Sequence, residues 1–439
     1  PGIAGIVLTL GMAVDANVLI NERIREELHK GKGLLEAINV GYEKALSAIL
    51  DGNITTVLIG VILIIFGSGS VKGFGVTLCI GLVTSVFTAV YISHLLVDWM
   101  AKRAIKAGKE KEMTFETFIS RDLFKGMNFD FIGKRKYSYW FSWLLIAAGA
   151  IVVIMQGGFN LGVDFKGGRS YVVEFNQAVP TDKVKEALAD DFGGKGVEVK
   201  TFNGATKLKV TTSYLVEDES IVANNKVRTA LETGLKEFSA SSPKILSESK
   251  VGATVADDIL MQSFVSIFYA LIAIFIYILL RFRKWQYSLG AIAAVFHDVV
   301  FVLGIYSICY KFMPFHMEMD QHFIAAILTV IGYSMNDTVI VFDRIREFLA
   351  GNRKGHFKDV VNASINTTLS RTLNTSLMMI LVLLTMFIFG GESIRGFIFA
   401  MLVGIIVGTY SSLFIATPVL VDTISRSDKN QIEKEHKEA

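Results

Sequence analysis

The sequence predicts an all-α polytopic membrane bundle of about nine transmembrane helices, built as a pseudo-twofold repeat and carrying one small α+β domain outside the membrane. Composition predicts the membrane class. Of 439 residues, 52% are hydrophobic and only 19% are charged, whereas soluble proteins average roughly 25% charged residues. Several windows of about 20 residues carry almost no charge, which is the length that a helix needs to cross a bilayer. This composition excludes an ordinary soluble enzyme.

Other features of the composition narrow the class further. Both cysteines, Cys79 and Cys309, fall in apolar windows, so no disulfide framework is expected. A net charge of +3 gives no support for nucleic-acid binding. The chain begins at Pro1 with an apolar run but without an initiator Met, a basic segment or a cleavage site. We therefore expect a chain that starts partway through a larger protein, and not a signal peptide.

Nine windows have the length and polarity of spanning helices. They lie near residues 1–20, 54–67, 74–98, 138–156, 260–281, 286–310, 322–343, 373–390 and 396–421. The loop from Ala101 to Tyr137 holds ten Lys or Arg residues, whereas the tight connections after the second, sixth and eighth spans hold one each. The positive-inside rule therefore places this basic linker, and with it the tail 425–439, in the cytoplasm.

Between the fourth and fifth spans, residues 158–258 have the character of a soluble α+β unit. Strand patterns cover 169–175, 197–202 and 207–213. Helix patterns cover 181–192, with Thr181 and Asp182 as candidate caps, and 220–238. The order βαββα predicts a small sheet with helices on one face. The alternation of the spans places this domain on the extracytoplasmic side.

The chain also contains an internal repeat. Residues 11–28 (GMAVDANVLINERIREEL) match 332–349 (GYSMNDTVIVFDRIREFL) at an offset of 321, and residues 36–74 match 359–397 at an offset of 323. Two copies that run the same way predict a pseudo-twofold axis along the membrane normal. The second copy has six spans, but only three spans of the first are present. We therefore expect the opening part of the first copy upstream of Pro1.

Three charged residues within the spans are the leading candidates for function. Asp15 in the first span and Asp337 in the seventh lie near the middle of apolar runs, where a charge costs roughly 2.5 to 3.5 kcal/mol on insertion scales. The repeat places Asp15 opposite Asn336, and it places Arg371 of the eighth span opposite Ala48. Residues that only maintain the fold would be expected to be alike in both copies. Because these charged residues occur in one copy and not at the matching position of the other, they indicate function.

Together these three groups can form a proton-coupled switch, with Arg371 as the expected ion-pair partner of one or both aspartates. Burial disfavours a charged carboxylate and an adjacent guanidinium favours it, so a motion that moves Arg371 would drive proton release or uptake. The alternative is a static buried ion pair that fixes helix register. Asn17, Asn336 and Thr338 are supporting polar neighbours under either interpretation. The expected coupling ion is H⁺, with Na⁺ left open because carboxylates and amides also bind it.

Two further groups of residues have less specific signals. His297 and Asp298, adjacent in the sixth span, either extend a proton path or hold helices together by hydrogen bonds. The other histidines do not cluster at ligand spacing, so no metal site is expected. The basic segments that begin at Arg23 and Arg344 are most simply orientation and lipid-headgroup anchors.

The segment GVDFKGG, directly after the fourth span, contains Gly162, Asp164, Gly167 and Gly168. It lacks the GxxxxGK[ST] pattern of a phosphate-binding loop. A tight turn from the membrane into the domain is therefore the expected role.

These motifs resemble the SecD and SecF family of accessory export proteins, which belongs to the resistance-nodulation-division superfamily. GMAVDANVLI followed by ERIREEL is similar to the fourth-span signature of SecD, GVDFKGG to the opening of the SecF extracytoplasmic domain, and GYSMNDTVIVFDRIRE to the SecF signature span. The resemblance implies SecD-like spans over 1–100, a cytoplasmic linker over 101–137, a first SecF-like span over 138–157, and five SecF-like spans over 259–424, joined as in fused SecDF proteins.

The resemblance further implies a proton-motive-force-driven accessory subunit of the Sec translocase, and not an enzyme. It would promote late preprotein translocation and release on the extracytoplasmic side of the bacterial cytoplasmic (inner) membrane. The family's coupling groups fall on Asp15, Asp337 and Arg371. The implied partners are the SecYEG translocon, SecA-dependent preproteins, membrane lipids and, as further candidates, YajC and YidC. No cofactor is implied beyond the coupling ion.

The sequence departs from the family pattern in two places, and two other functions compete. Asn21 stands where an aromatic residue is expected before Glu22, and Ala253 stands where proline is usual. A small-molecule exporter of the same superfamily would share the paired aspartates, but it needs larger extracytoplasmic domains. An intramembrane aspartyl protease would need a GxGD pattern, which neither AVDAN nor SMNDT matches.

Overall fold

Long helices joined by short turns make up most of the structure. The computed structural model describes residues 2–67, 69–110, 113–115, 128–193, 197–202, 204, 206–218, 220–313, 315, 317–350 and 356–424, without the side chains of residues 3, 4, 7, 69, 70, 392 and 393. Part of the predicted linker 101–137 and the whole predicted tail 425–439 therefore lie outside the described residues.

The helices fall into two sets with the small domain between them. In chain order they are α1 (Gly2–His29), α2 (Leu34–Phe66), α3 (Gly69–Phe87), α4 (Ser93–Lys106), α5 (Arg135–Met155), α6 (Val163–Lys166), α7 (Thr181–Asp191), α8 (Ile221–Leu235), α9 (Ala253–Phe282), α10 (Trp285–Cys309), α11 (Gln321–Ala350), α12 (Phe357–Phe389), α13 (Glu392–Ser411) and α14 (Thr417–Thr423). The strands are β1 (Gly168–Glu174), β2 (Val197–Thr201), β3 (Lys207–Thr212) and β4 (Lys244–Val251).

Eight described helical stretches are long and apolar enough to cross a membrane. They are α2, α3 with α4, α5, α9, α10, α11, α12, and α13 with α14. The predicted first span falls on α1, whose description lacks the side chains of residues 3, 4 and 7. The multi-pass helical bundle is confirmed, and the predicted count of nine is approximate.

Two helices extend well beyond the predicted spans. α2 begins at Leu34 and not near residue 54, and α12 begins at Phe357 and not near residue 373. The added turns mix polar residues with apolar ones such as Ile38 and Val361, which are buried against neighbouring helices. A hydropathy window detects only uniformly apolar turns, so it misses amphipathic turns that continue the helix beyond them.

The two copies of the repeat pack against each other about the predicted axis. α1 contacts α12, and α2 contacts α11. The most apolar window of α11 is 94% buried, because helices of both halves surround it. Each copy also contains a π-helical turn at matching positions, Thr88–Ile92 between α3 and α4 and Ser412–Ala416 between α13 and α14. We call the membrane face that carries the small domain the domain side, and the opposite face the linker side.

The small domain is a four-stranded antiparallel sheet with two helices on one face. The strand order is β2-β3-β1-β4. Apolar residues of the sheet, among them Tyr171 and Val210, pack against Leu188 of α7 and Leu231 of α8. The three predicted strands and both predicted helices are confirmed to within a few residues.

Strand β4 and the start of α7 differ from what the sequence pattern predicts. Most β4 side chains are exposed, so its sequence (KILSESKV) lacks the apolar alternation that predicts a strand. Helix α7 begins after Pro180 with no side-chain cap hydrogen bond, so Thr181 and Asp182 do not cap it. α8 is capped by Ser220, whose Oγ accepts a hydrogen bond 3.1 Å long from the backbone N–H of Ala223.

The GVDFKGG segment makes the predicted turn into the domain. The backbone N–H of Gly162 donates to the carbonyl of Met319 (2.8 Å), and Asp164 Oδ2 accepts from the backbone N–H of Gln321, the first residue of α11 (3.2 Å). Gly168 has a φ of +133°, and a Cβ there would lie 2.6 Å from the carbonyl oxygen of Thr212 in β3. Only glycine fits this position without strain.

Ion pairs also hold the sheet to the bundle. Glu318, in the connection between α10 and α11, is 8% exposed. Its Oε2 lies 3.0 Å from Lys209 Nζ of β3, and its Oε1 lies 3.9 Å from Lys200 Nζ of β2. The domain is therefore anchored at two points near the start of α11, through the glycine turn and through Glu318.

Arg169 is fully buried in the domain, and its guanidinium holds the loop after β3 against α8. Its guanidinium donates to Asn224 Oδ1 (2.8 Å) and to the carbonyls of Tyr214, Leu215 and Asp218 at 3.0 to 3.2 Å. Such a network leaves several buried acceptors unpaired when the arginine is removed.

We expect Arg169→Met to lower the free energy of unfolding of the domain by about 3 to 5 kcal/mol, because buried acceptors lose their donors. Hydrogen exchange of the domain amides in the intact chain measures this loss. The control is Arg228→Gln, which removes an exposed ion pair with Glu232 and is expected to change the exchange of the domain amides far less than Arg169→Met, because water screens the pair. Equal exchange in Arg169→Met and the wild type would contradict the assignment.

A cluster of lysines stabilises the turn between α1 and α2, beyond the apolar part of α1. The Glu27 carboxylate is 1% exposed and lies 2.7 Å from Lys30 Nζ, 2.9 Å from Lys44 Nζ and 3.0 Å from Lys32 Nζ. Hydrogen bonds from Lys30, Lys44 and Lys32 hold the pKa of Glu27 at about 2.

We expect Glu27→Gln to lower the free energy of unfolding by about 1 to 2 kcal/mol at neutral pH, since partial exposure of the lysines screens the interaction. The native pKa is depressed, so this stabilisation is present above the unfolded-state pKa near 4.5 and is lost as pH falls toward 2. Denaturant unfolding across this range should show the two proteins converging. The exposed Glu36, replaced by Gln, is the control, and a gap that stays constant would count against the proposed cause.

Candidate functional site

The centre of the bundle is a contact between α1 and α11 at the pseudo-twofold axis. Asn336 Nδ2 donates a hydrogen bond to Asp15 Oδ2 (2.8 Å). These two positions are the ones that the repeat matches at an offset of 321. Residues related by a twofold axis contact each other only when they lie beside that axis, so this hydrogen bond locates it. Asp15 Oδ1 is buried and has no hydrogen-bond partner among the described residues.

Asp337 lies one residue further along α11 and is 3% exposed. Ser376 Oγ of α12 lies 3.5 Å from Asp337 Oδ2, and Ser376 also hydrogen-bonds Thr409 of α13 (2.6 Å). The Asp337 carboxylate interacts electrostatically with Asp15 and with the Arg371 guanidinium. The structure therefore brings the three predicted charged residues into one buried cluster.

Arg371 makes its ion pair with a residue that the sequence analysis did not select. Arg371 Nε lies 3.7 Å from Glu22 Oε2, which replaces the expected direct ion pair with an aspartate. Its interactions with Asp15 and Asp337 are longer-ranged. Glu22 stands seven residues after Asp15, on the same face of α1 and about 10 Å nearer the linker side. That spacing, together with Arg371, was the signal that could have identified it.

The supporting polar residues separate in the structure. Asn336 belongs to the cluster, but Asn17 faces away from it, since Asn17 Oδ1 accepts a hydrogen bond from Ser93 Oγ (3.1 Å) and its Nδ2 donates to the Ala13 carbonyl (3.0 Å). Thr338 is fully buried and donates to the Ser334 carbonyl of its own helix (3.1 Å). Neither Asn17 nor Thr338 hydrogen-bonds the two aspartates.

His297 and Asp298 form a second buried polar group beside the cluster. Their Nδ1 and Oδ1 atoms are 3.0 Å apart. Asp298 Oδ2 accepts hydrogen bonds from Ser334 of α11 (2.6 Å) and Ser411 of α13 (2.8 Å). Asp298 thus joins three helices, which favours the helix-holding interpretation. Ser334 lies one turn before Asp337 on the same helix, so the two polar groups are neighbours.

A glycine missed by the sequence analysis makes room for the axial hydrogen bond. A Cβ at Gly52 of α2 would lie 1.7 Å from Asn336 Oδ1. Any larger residue must therefore displace the amide that contacts Asp15. The signal in the sequence was weak, because glycine is common throughout these helices.

Four charged residues of the shared Arg-Ile-Arg-Glu sequence form a reciprocal ionic network at the linker-side end of the axis. Arg23 pairs with Glu26 (2.9 Å) and with Glu347 (3.6 Å), while Arg344 pairs with Glu347 (2.8 Å) and with Glu26 (3.3 Å). The side chains of Arg23 and Arg344 are only 15% and 18% exposed. Arg23 and Arg344 themselves therefore pair with glutamates of both halves and not with lipid headgroups, while the anchoring role expected of the other basic residues in these segments stays a prediction.

Two small cavities lie on either side of the cluster. On the linker side, a cavity of about 20 Å³ is bordered by Glu22, Glu26, Arg344 and Arg371. On the domain side, a cavity of about 30 Å³ is bordered by Gln262, Ser266 and other residues between the halves. A water molecule needs roughly 10 to 15 Å³ of such volume, so each cavity can hold one or two waters.

The structure defines a multi-pass membrane protein of two related halves, with charged residues buried where the halves meet. Comparison with known proteins identifies the family. The chain matches "Protein export membrane protein SecD/SecF, C-terminal" over residues 2–103 and 230–426, and "SecD/SecF GG Motif" over residues 152–179. The chain therefore belongs to the SecD/SecF family, which confirms the resemblance seen in its motifs.

Individual relatives agree. The chain is 37% identical over 421 residues to the protein translocase subunit SecDF of Brucella abortus, a match covering 95% of this chain and 53% of that protein. It is 43% identical over 305 residues to the protein translocase subunit SecF of Rhodothermus marinus, covering 70% of this chain and 96% of that protein. The crystal structure of SecDF from Thermus thermophilus superposes with a TM-score of 0.81 at 35% identity, covering 96% of this chain and 54% of that one. The chain thus spans about half the length of the SecDF relatives.

We expect Gly52→Ala to destabilise the bundle by about 1 to 3 kcal/mol, because its methyl group would overlap Asn336 and break the hydrogen bond to Asp15. Unfolding of the detergent-solubilised protein measures this change. Gly73→Ala in α3 is the matched control, since a Cβ there meets nothing within 4 Å. If both substitutions have the same effect, Gly52 has no special role at the axis.

Proposed function

We propose that this chain is the ion-coupling part of an accessory subunit of the Sec protein translocase, driven by the proton motive force. The observation that carries the proposal is the asymmetric cluster at the axis, in which Asp337 and Arg371 are buried and Asp15 is partly buried with its Oδ1 atom enclosed. Two carboxylates and one guanidinium leave an excess negative charge in an apolar bundle, and a proton neutralises that charge at the lowest cost. The protein translocase relatives supply the process to which this chemistry would be coupled.

The geometry supports a mechanism in which Arg371 changes partners. In the described state its ion pair is with Glu22, on the linker side of the aspartates. Withdrawal of Arg371 toward Glu22 weakens its support for a charged Asp337, which favours proton uptake. A return of Arg371 toward the aspartates favours proton release. Each proton crossing a potential of 100 mV contributes about 2.3 kcal/mol, enough to shift a two-state equilibrium between arrangements of the halves.

The linker-side cavity supports proton access as far as Arg371 and Glu22, and neither cavity is lined by Asp15 or Asp337. The linker-side cavity borders Arg371 and Glu22, and the domain-side cavity lies between the halves near the start of α11. Because the anchor points of the domain are also at the start of α11, a shift of this helix would move the domain. Proton transfer at the axis would in this way produce movement where an emerging preprotein is released.

The surroundings of the aspartates favour H⁺ over Na⁺ as the coupling ion. Asp15 Oδ2 accepts from the amide N–H of Asn336, a donor that would repel a metal cation. Arg371 adds a positive charge to the same cluster. Sodium would need several oxygen ligands directed at one point, whereas a proton needs a single carboxylate oxygen such as Asp15 Oδ1.

The distribution of basic residues supports an orientation with the linker side in the cytoplasm and the small domain outside it. The proposed location is the bacterial cytoplasmic membrane. The proposed partners are the SecYEG translocon and SecA-dependent preproteins, with YajC and YidC as further candidates. Late translocation and release of the preprotein on the extracytoplasmic side is the proposed step.

The test is an ion-flux measurement in membrane vesicles that contain the translocon, a translocating preprotein and the protein with this chain in its natural setting. We expect a flux that follows an imposed H⁺ gradient and falls by at least about tenfold in Asp337→Asn and in Arg371→Ala, since each removes a group needed for the protonation cycle. Preprotein release should fall in parallel.

Asp98→Asn is the matched control, because Asp98 pairs with Lys102 on the surface of α4, away from the axis. It should leave flux and release unchanged. A flux that follows an imposed Na⁺ gradient and not the H⁺ gradient would mean that the coupling ion is Na⁺. A flux that survives both axial substitutions would mean that the charges only fix helix register, and the proposed function would then be wrong.

A further inference from the structure

An apolar groove opens on the outer surface of the bundle between α12 and the α13–α14 segment. Its volume is about 470 Å³, and its walls include Leu373 and Ile380 of α12, Ile406 of α13 and Phe414 of the π-helical turn. Leu377 and Ile406 are 45% and 54% exposed. Both walls belong to helices that cross the membrane, so the groove faces the bilayer.

The groove has the length of one leaflet. It extends along α12 from Leu369 to Ile380, which at 1.5 Å per residue is about 16 Å. Half of a hydrocarbon core about 30 Å thick is about 15 Å. Phe129, just before α5, lines one end, and Ile380, nine residues before the domain-side end of α12 at Phe389, lines the other. The groove therefore matches an acyl chain that enters from the linker-side leaflet.

The aromatic end of the groove is fixed in place by hydrogen bonds. The backbone N–H of Phe129 donates to Asn366 Oδ1 (2.8 Å), and Asn366 Nδ2 donates to the Phe129 carbonyl (2.9 Å). The Phe131 and Phe414 ring centroids are 5.0 Å apart, as are those of Tyr410 and Phe414. A mouth preorganised in this way loses little conformational entropy when a ligand binds.

A positive charge stands at that mouth. Lys134 Nζ lies 4.7 Å from the centroid of the Phe129 ring. Lys134 is exposed and makes no ion pair within the described part of the chain. Its neighbour Arg135 is already engaged, with Nε 2.9 Å from Asp422 Oδ1. Apart from its contact with the Phe129 ring, the Lys134 ammonium at the linker-side end of the groove has no anionic partner among the described residues and can bind an anion.

We propose that this groove binds one anionic phospholipid of the linker-side leaflet, with an acyl chain between α12 and α13 and the phosphate at Lys134. The length of the groove, its apolar walls and the free ammonium at its mouth fit this occupant. The groove also reaches Ser376 and Thr409; the Ser376 hydroxyl lies 3.5 Å from Asp337 Oδ2 and hydrogen-bonds Thr409. A bound acyl chain seals this side of the carboxylate from water.

The test is lipid retention by the intact protein. Protein is reconstituted in vesicles of phosphatidylethanolamine and phosphatidylglycerol at a ratio of about 3:1, extracted in mild detergent and analysed by native mass spectrometry. We expect one retained phosphatidylglycerol, enriched over the vesicle composition. Lys134→Gln should reduce that enrichment by about fivefold, the effect of one lysine near a charged headgroup.

Matched variants separate the groove from general surface effects. Lys136→Gln removes the same charge two residues away and should leave the enrichment unchanged. Ile406→Trp fills the groove and should abolish retention, whereas Ile388→Trp, at an exposed position near the other end of α12, should not. The proposal is overturned if both lysine variants lose lipid equally, or if Ile406→Trp and Ile388→Trp behave alike.

A measurement on the wild type does not depend on how the variants fold. Phosphatidylglycerol with a diazirine in the middle of one acyl chain is photolysed in the same vesicles, and labelled peptides are identified. Labelling concentrated in residues 369–380 and 406–414 supports the proposal. Labelling spread evenly over lipid-facing helices, or cross-linking of this face to a second copy of the chain without label in the groove, overturns it.

Discussion

The hydrogen bond between Asn336 and Asp15 joins the two halves of the molecule at their common axis, and the other axial features are arranged around it. The contact requires close approach of α1, α2 and α11, which Gly52 permits because it has no side chain to occupy the space of the Asn336 amide. The same approach buries α11 almost completely. Asp337 is then only 3% exposed, so its charge state depends mainly on the few polar groups that surround it.

Charged and polar groups lie along α11 from one membrane face to the other. At the domain side, Glu318 and the glycine turn fix the sheet to the start of α11. At the centre are the aspartates, and toward the linker side are Glu22 with Arg371 and then the reciprocal Arg23–Glu347 and Arg344–Glu26 pairs. Because α11 runs through all of these layers, it is the element through which a change in protonation could reach the domain.

The outer surface of the bundle differs from the axis in the polarity of its side chains. There the side chains are apolar and many are exposed, because lipid and not protein covers them. The groove between α12 and α13 brings these two environments close together. Ser376 lines the groove and its hydroxyl lies 3.5 Å from Asp337 Oδ2, so what fills the groove affects the surroundings of that carboxylate.

The sequence by itself determined the membrane class, the two-copy repeat and the three axial charges, because apolar windows, repeated segments and buried charges are local or periodic properties of the chain. It also located three strands and the turn into the domain. Tertiary structure decided the rest. β4 is an edge strand whose exposed residues have no apolar pattern. Arg371 pairs with Glu22 because α1 and α12 pack together at that level. Arg23 and Arg344 share their glutamate partners because the axis passes between them. Gly52 acquires its role only from Asn336, a residue 284 positions away in the chain. Such pairings depend on how distant helices pack, and no single stretch of sequence contains that information.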